Sequence, residues 1–243
     1  MFKVRHSSIS RVSSLFSKLL INHSGDKYLQ ESEIAFKSNE CLRSILRTYN
    51  RAFKTLDIPS WELLKSKAIA NFSGKSTNRG KNSFFNHLNE AFAYRYLHQR
   101  GCKLITIVPA TTKHRSPDLS FIENGIQRFC EVKTIEISED EIGRTICGST
   151  FDATIYCALS LPFLNKLDTT LSNAADQMSS QGSGLVYLIV NFDDFTLKHY
   201  STYKYQLVQF LRLKYPMQEV YIKIGMQSRK RIHNIGRASA AKW

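Results

Sequence analysis

The chain has 243 residues, a 42% hydrophobic fraction, 15 Phe and 11 Tyr, enough for one sizeable core or a core with an appendage, which excludes wholesale disorder. Its formal net charge is +14, an excess that a protein acting on small neutral molecules does not need and that favours a polyanionic partner, nucleic acid before an anionic membrane surface. The five cysteines, Cys41, Cys102, Cys130, Cys147 and Cys157, contain no CxxC pair, so neither a zinc site nor a disulfide framework is indicated, and a reducing, cytoplasmic setting fits best.

In chain order, residues 1–25 carry Lys3, Arg5, Arg11 and Lys18 among many serines, with no acid before Asp26. A basic amphipathic segment over 8–20 is the preferred reading, and organellar targeting is the minority alternative. Asn22 to Asp26 breaks that pattern. The spacing of Ile34, Leu42, Ile45, Leu46 and Phe53 predicts one helix over about 32–56. Ser60 is expected to cap the next helix, which runs to about Phe72. Residues 73–82 (SGKSTNRGKN) are polar and basic. They read as a boundary between an N-terminal helical region, 1–80, and a core, 81–243. The GKST within them is not a phosphate loop, because position 69 is Ile where that pattern needs Gly, and no strand precedes it.

A strong helix is predicted over Ser83–Arg100, capped by Ser83 and ended by Gly101. Phe84, Leu88 and Phe92 form one stripe and Glu90 projects away from it. Strands follow at 104–108, 118–123 and 126–137, the last two joined by Asn124-Gly125, a two-residue hairpin signal. A helix over 161–180, an apolar strand over 185–192 that reads as covered on both faces, a helix over 202–215 and a strand over 220–226 complete the pattern. From Gln227 onward the chain reads as a basic tail, with Arg229, Lys230, Arg231, Arg237 and Lys242. No apolar run reaches the ~20 residues of a membrane helix. The expected class is α/β: a mixed β-sheet flanked by helices, with an N-terminal helical region.

The chemistry concentrates between Asn82 and Ile137. Asp118 follows Pro117 and opens a strand. Glu131 and Lys133 lie two apart in the next, so they project to one side of the sheet while Val132 points to the other. Ionised groups gathered there lose hydration, a loss that a divalent cation and an anionic substrate would offset. Carboxylates holding Mg2+ or Mn2+ activate water and stabilise charge on a phosphoryl group, and a lysine beside them orients or deprotonates that water.

Pro117-Asp118, twelve intervening residues, then Glu131-Val132-Lys133, with a helical Glu90 before them, resembles the PD-(D/E)xK nuclease superfamily, the restriction-endonuclease-like fold. The resemblance covers roughly residues 83–226. It implies a Mg2+-dependent (Mn2+ as substitute) endonuclease acting on DNA, with RNA as the alternative. Asp118, Glu131 and the Val132 backbone carbonyl would be metal ligands, Glu90 would support the metal or its waters, and Lys133 would act at the nucleophilic water. Gln177 is the nearest match to the glutamine that many members carry on the helix after the motif, displaced by an apparent insertion over 138–160. Lys113, Arg115, the 73–82 loop and the C-terminal tail are expected phosphate contacts. Symmetric cutting would favour a homodimer. The competing readings are a non-catalytic nucleic-acid-binding module of the same fold, and a basic scaffold within a larger protein complex.

Overall fold

The computed structural model describes residues 10–72, 81–109, 116–138, 143, 153–179, 182, 184–191, 196–225 and 230–234. The architecture is α/β, a six-stranded mixed sheet flanked by helices, in the strand order β1-β2-β3-β4-β5-β6. The helices are α1 (Ser10–Asn22), α2 (Lys27–Ser38), α3 (Glu40–Phe53), α4 (Ile58–Ala70), α5 (Asn82–Gln99), α6 (Leu161–Ser179) and α7 (Tyr200–Lys214). The strands are β1 (Lys103–Ile107), β2 (Leu119–Glu123), β3 (Ile126–Ile135), β4 (Gly184–Val190), β5 (Glu219–Ile224) and β6 (Arg231–Asn234). Among the described residues no helix is long and apolar enough to cross a membrane. The chain divides into two compact units, one within 1–111 and 118–127, the other within 112–117 and 128–243.

The first unit holds α1 to α5 with β1 and β2. Its helices start where side chains accept the first free amides. The single helix expected over 32–56 is two helices, because Asp26 Oδ1 accepts from Leu29 N and starts α2, while Asn39 Oδ1 accepts from Leu42 N and starts α3. Asp57, not Ser60, caps α4: its Oδ1 accepts from Ser60 N at 2.7 Å, and Pro59 sits in the first turn. The Ser83 cap is also absent, and α5 begins at Asn82 after Lys81 with no side-chain cap. Helix α5 is the central rod. Phe84, Leu88, Ala91, Phe92, Ala93, Tyr94 and Leu97 are all buried, and α3, α4, β1 and β2 pack against it. Gly101, at φ +85°, ends it. Thr106 and Ile107 of β1 pair antiparallel with Ser120 and Leu119 of β2. Asn124 and Gly125, at φ 52° and 77°, make the tight turn that the sequence predicts.

The second unit holds β3 from Arg128 onward, β4 to β6, α6 and α7. Strands β3, β4 and β5 are parallel, and β6 returns antiparallel to β5. Strand β4 is buried at every position from Leu185 to Val190, as expected for a central parallel strand. Ile135, Val186, Leu188, Val190, Val220, Ile222 and Ile224 meet Leu167, Leu171, Ala174 and Met178 of α6 and Tyr203, Leu207 and Leu211 of α7 in one core. Strand β6 corrects the reading of Gln227 onward as a tail, since Arg231–Asn234 pair with β5. Ile232 is buried opposite Ile222, and that one side chain, with the pairing to β5, outweighs the polar composition of Arg231–Asn234.

Candidate functional site

In the second unit, strand alternation places Glu131, Lys133 and Ile135 on the face that carries Val186, Leu188 and Val190 in register on β4. This face turns toward α6. Glu131 is 2% exposed. A carboxylate buried there needs a partner, and Lys133 Nζ supplies it, 2.6 Å from Glu131 Oε1. The same ammonium donates to Gln177 Oε1 at 2.6 Å. The Lys133 side chain is 27% exposed, against 2% for Glu131.

Helix α6 positions Gln177. Ser160 Oγ accepts from Phe163 N at its start. Its buried stripe, Leu167, Leu171, Ala174 and Met178, has helical spacing. Gln177 follows Ala174 by three residues and precedes Met178, so it sits at the edge of that stripe. Gly184 allows the approach: a Cβ there would lie 2.5 Å from Met178 Sδ and 3.1 Å from the Phe129 carbonyl oxygen.

In the first unit, Glu90 is buried rather than a surface acid, at 2% exposed. Lys67 Nζ of α4 lies 2.8 Å from both of its carboxylate oxygens, and His87 Nδ1, one helical turn earlier on α5, lies 2.9 Å from Oε1. Neither partner was singled out from the sequence. His87 stands three residues before Glu90 on a predicted helix, a readable i,i+3 relationship, whereas Lys67 comes from a different helix. Asp118 stands at the entrance of β2, half-buried, and its carbonyl oxygen accepts from Val108 N at 2.8 Å.

No family model matches this chain, and no curated protein or solved structure matches it either.

The opposite face of the second unit's strands carries another polar group of side chains. Glu219, 2% exposed, accepts from Arg128 Nη2 at 2.7 Å and lies 3.0 Å from His233 Nε2. Tyr221 stacks on Tyr187 with ring centroids 5.1 Å apart. Further along the same face, Lys223 donates to the Gly225 carbonyl at 2.5 Å, and burial pushes its ammonium pKa down to about 8. A strand-length apolar run with one Glu at its start gave no sign of this network, since Arg128, Glu219 and His233 come from three strands.

The second unit thus brings together Glu131, Lys133 and Gln177, and the first unit joins Glu90 to Lys67 and His87. Val132, between the two motif residues, is half-buried. Lys113 and Arg115 lie outside the described residues, as do 73–80 of the basic loop and the tail from 235 onward. Among the described residues, no group of three or more His, Cys, Asp or Glu side chains is gathered as a metal cage.

Proposed function

We propose that this chain is a divalent-metal-dependent nuclease that hydrolyses phosphodiester bonds of DNA internally, on a restriction-endonuclease-like scaffold. The supporting observation is the contact chain Glu131–Lys133–Gln177 on the α6 side of β3. A buried ion pair is a weak device for stability, and apolar residues of similar volume often serve as well or better. Its place beside Val186 and Leu188 is therefore best explained by chemistry.

The donor set fits a hard cation. Glu131 offers carboxylate oxygen, and the resemblance adds the carboxylate of Asp118 and the Val132 carbonyl. Mg2+ is commonly held by one or two carboxylates with waters and substrate phosphate oxygens completing the shell, so a cage of three acids is not required. Mn2+ takes the same donors. When bound, the metal lowers the pKa of a water and neutralises charge on the phosphoryl oxygens. Lys133 donates a hydrogen bond toward the attacking water or a non-bridging oxygen. Gln177 and Glu131 hold the ammonium in place, each at 2.6 Å. The resemblance gives Glu90 a supporting role, and in the first unit Lys67 and His87 hold its carboxylate.

The test is cleavage of supercoiled plasmid by the purified chain with Mg2+, beside Glu131→Gln and Lys133→Met. Expected is metal-dependent nicking that falls by about 10²-fold or more in either variant, the scale of a lost acid–base group, with folding intact by circular dichroism. Nicking retained in both variants sinks the reading. A second reading, a nucleic-acid-binding module without catalysis, is favoured by the pairing of Glu131 with Lys133 and of Glu90 with Lys67 and His87. Salt-sensitive binding without cutting under Mg2+ or Mn2+ selects it.

A further inference from the structure

Helix α3 carries Arg43, Arg47 and Arg51 at four-residue steps, and Lys54 follows at its end. Steps of four and eleven residues keep all four within one narrow outer stripe, about 16 Å long at 1.5 Å per residue. The inner side of the helix is buried through Leu46, Tyr49, Asn50, Ala52 and Phe53. Arg47 is 53% exposed, and Arg51 and Lys54 are exposed as well. The one acid of the helix is Glu40, which pairs with Arg43 at 2.6 Å and Arg47 at 3.3 Å from the N-terminal end. Arg51 Nη2 donates to the Thr48 hydroxyl at 3.1 Å, and among the described residues no acid pairs with Arg51.

This arrangement disfavours the isolated helix. Like charges four residues apart destabilise by about 0.2–0.5 kcal/mol per pair, and α3 contains two such steps, Arg43 to Arg47 and Arg47 to Arg51. Basic residues in the last turn alone would satisfy the helix dipole. We propose that the α3 stripe is a docking ridge for the phosphate backbone of a nucleic-acid duplex.

Three features choose that occupant. The cations are mainly arginine, whose planar guanidinium engages phosphate oxygens in pairs. The stripe has no exposed ring on which the bases of a single strand would stack, because Tyr49, the one aromatic residue near its middle, is buried. None of the exposed large apolar side chains, such as Ile21, Ile34 and Ile58, lies on α3, whereas a helix that binds a lipid surface inserts an apolar face. The ridge is also held rigidly: Tyr49 Oη donates to Asn89 Oδ1 at 2.9 Å, and Asn50 Oδ1 accepts from Arg11 N and Val12 N. Asn89 adjoins Glu90 on α5, so the ridge has a fixed register with that carboxylate. Docking on the ridge does not depend on cutting, so this inference goes beyond the cleavage reading.

The test uses the whole chain in EDTA, where cutting cannot interfere. Fluorescence anisotropy with labelled duplex DNA of mixed sequence is read across a salt series, with duplex RNA, single-stranded DNA and anionic vesicles as parallel probes. For Arg47→Gln/Arg51→Gln/Lys54→Gln, the log–log salt slope is expected to fall by about 2–3, at roughly 0.9 per lost phosphate contact. Arg47→Lys/Arg51→Lys retains the slope, a rescue that a folding defect would not allow. A duplex slope unchanged in the Gln variant overturns the proposal, as does a wild-type chain that binds single strands or vesicles but no duplex. Equal loss on duplex DNA and RNA assigns the ridge to the shared backbone; loss on DNA alone assigns it to B-form geometry.

Discussion

Lys133 Nζ and Gln177 Oε1 meet at 2.6 Å, joining the middle of a strand to a helix 44 residues further on. The ammonium is thereby held between a buried carboxylate on its own strand and a neutral amide on the covering helix. Such a lysine is oriented and, at 27% exposed, still accessible, as an electrophilic or water-orienting group requires.

Gln177→Leu removes that acceptor without touching the ion pair. A hydrogen bond to a charged group contributes about 1.5–3 kcal/mol. If most of it acts on orientation, cleavage falls by about 10-fold or more, at 1.36 kcal/mol per decade. Gln177→Glu keeps an acceptor and should retain more activity than Gln177→Leu at equal folding stability. The comparison is made by single-turnover plasmid nicking, and equal losses in the two variants would refute a positioning role.

Lys67→Met leaves the Glu90 carboxylate buried beside His87, 2.9 Å away. Removing one partner of a buried ion pair costs about 3–5 kcal/mol, so the urea midpoint should drop sharply. Lys67→Met/Glu90→Gln should recover much of the loss, because the stranded charge is gone. A double variant as unstable as the single would point to lost packing by the lysine stem instead.

Lys223 gives a pH signature. Burial lowers its pKa to about 8 in the folded chain, below the ordinary value of about 10.4. Between those values the unfolded chain binds more protons, so this residue makes stability rise as pH rises. Below about 8 the folded state carries a desolvated charge. Lys223→Met should therefore gain stability relative to wild type at neutral pH, with the difference shrinking as pH climbs toward 10. Denaturant midpoints of both proteins across pH 7–10 check it, and a constant difference would exclude the cause.

Asp26 gives the opposite window. Burial on its own would raise its carboxyl, but the Lys81 ammonium at 2.6 Å and the Leu29 amide outweigh that and hold it below the usual carboxylate range. A depressed carboxylate stabilises the fold above its unfolded pKa and loses that contribution as pH falls through the folded one. Asp26→Asn should be less stable than wild type at pH 7, with the gap closing below about pH 4. Parallel acid titrations of melting temperature would show whether the gap closes.

Much of the local order was legible from residue patterns. Gly101 stops α5, Asn124-Gly125 turns the hairpin, and the run from Leu185 to Val190 reads as a doubly covered strand, because each reflects a preference carried by the residues themselves. The same-side placement of Glu131 and Lys133 also follows from alternation alone. Helix starts were less legible. Asn39 and Asp57 cap through side chains, and the apolar spacing continues across Asn39 as if no break existed.

The sequence by itself determined the α/β class and the strand that presents Glu131 and Lys133 together, since periodicity is a property of neighbours along the chain. Tertiary structure alone decided that Glu90 is clamped by Lys67, that Gln177 reaches Lys133, that Glu219 gathers Arg128 and His233, and that Arg231–Asn234 form a strand. Those contacts join residues far apart in sequence. Each exists because burying a charge, or leaving a strand edge open, demands a partner that only the packed chain can supply.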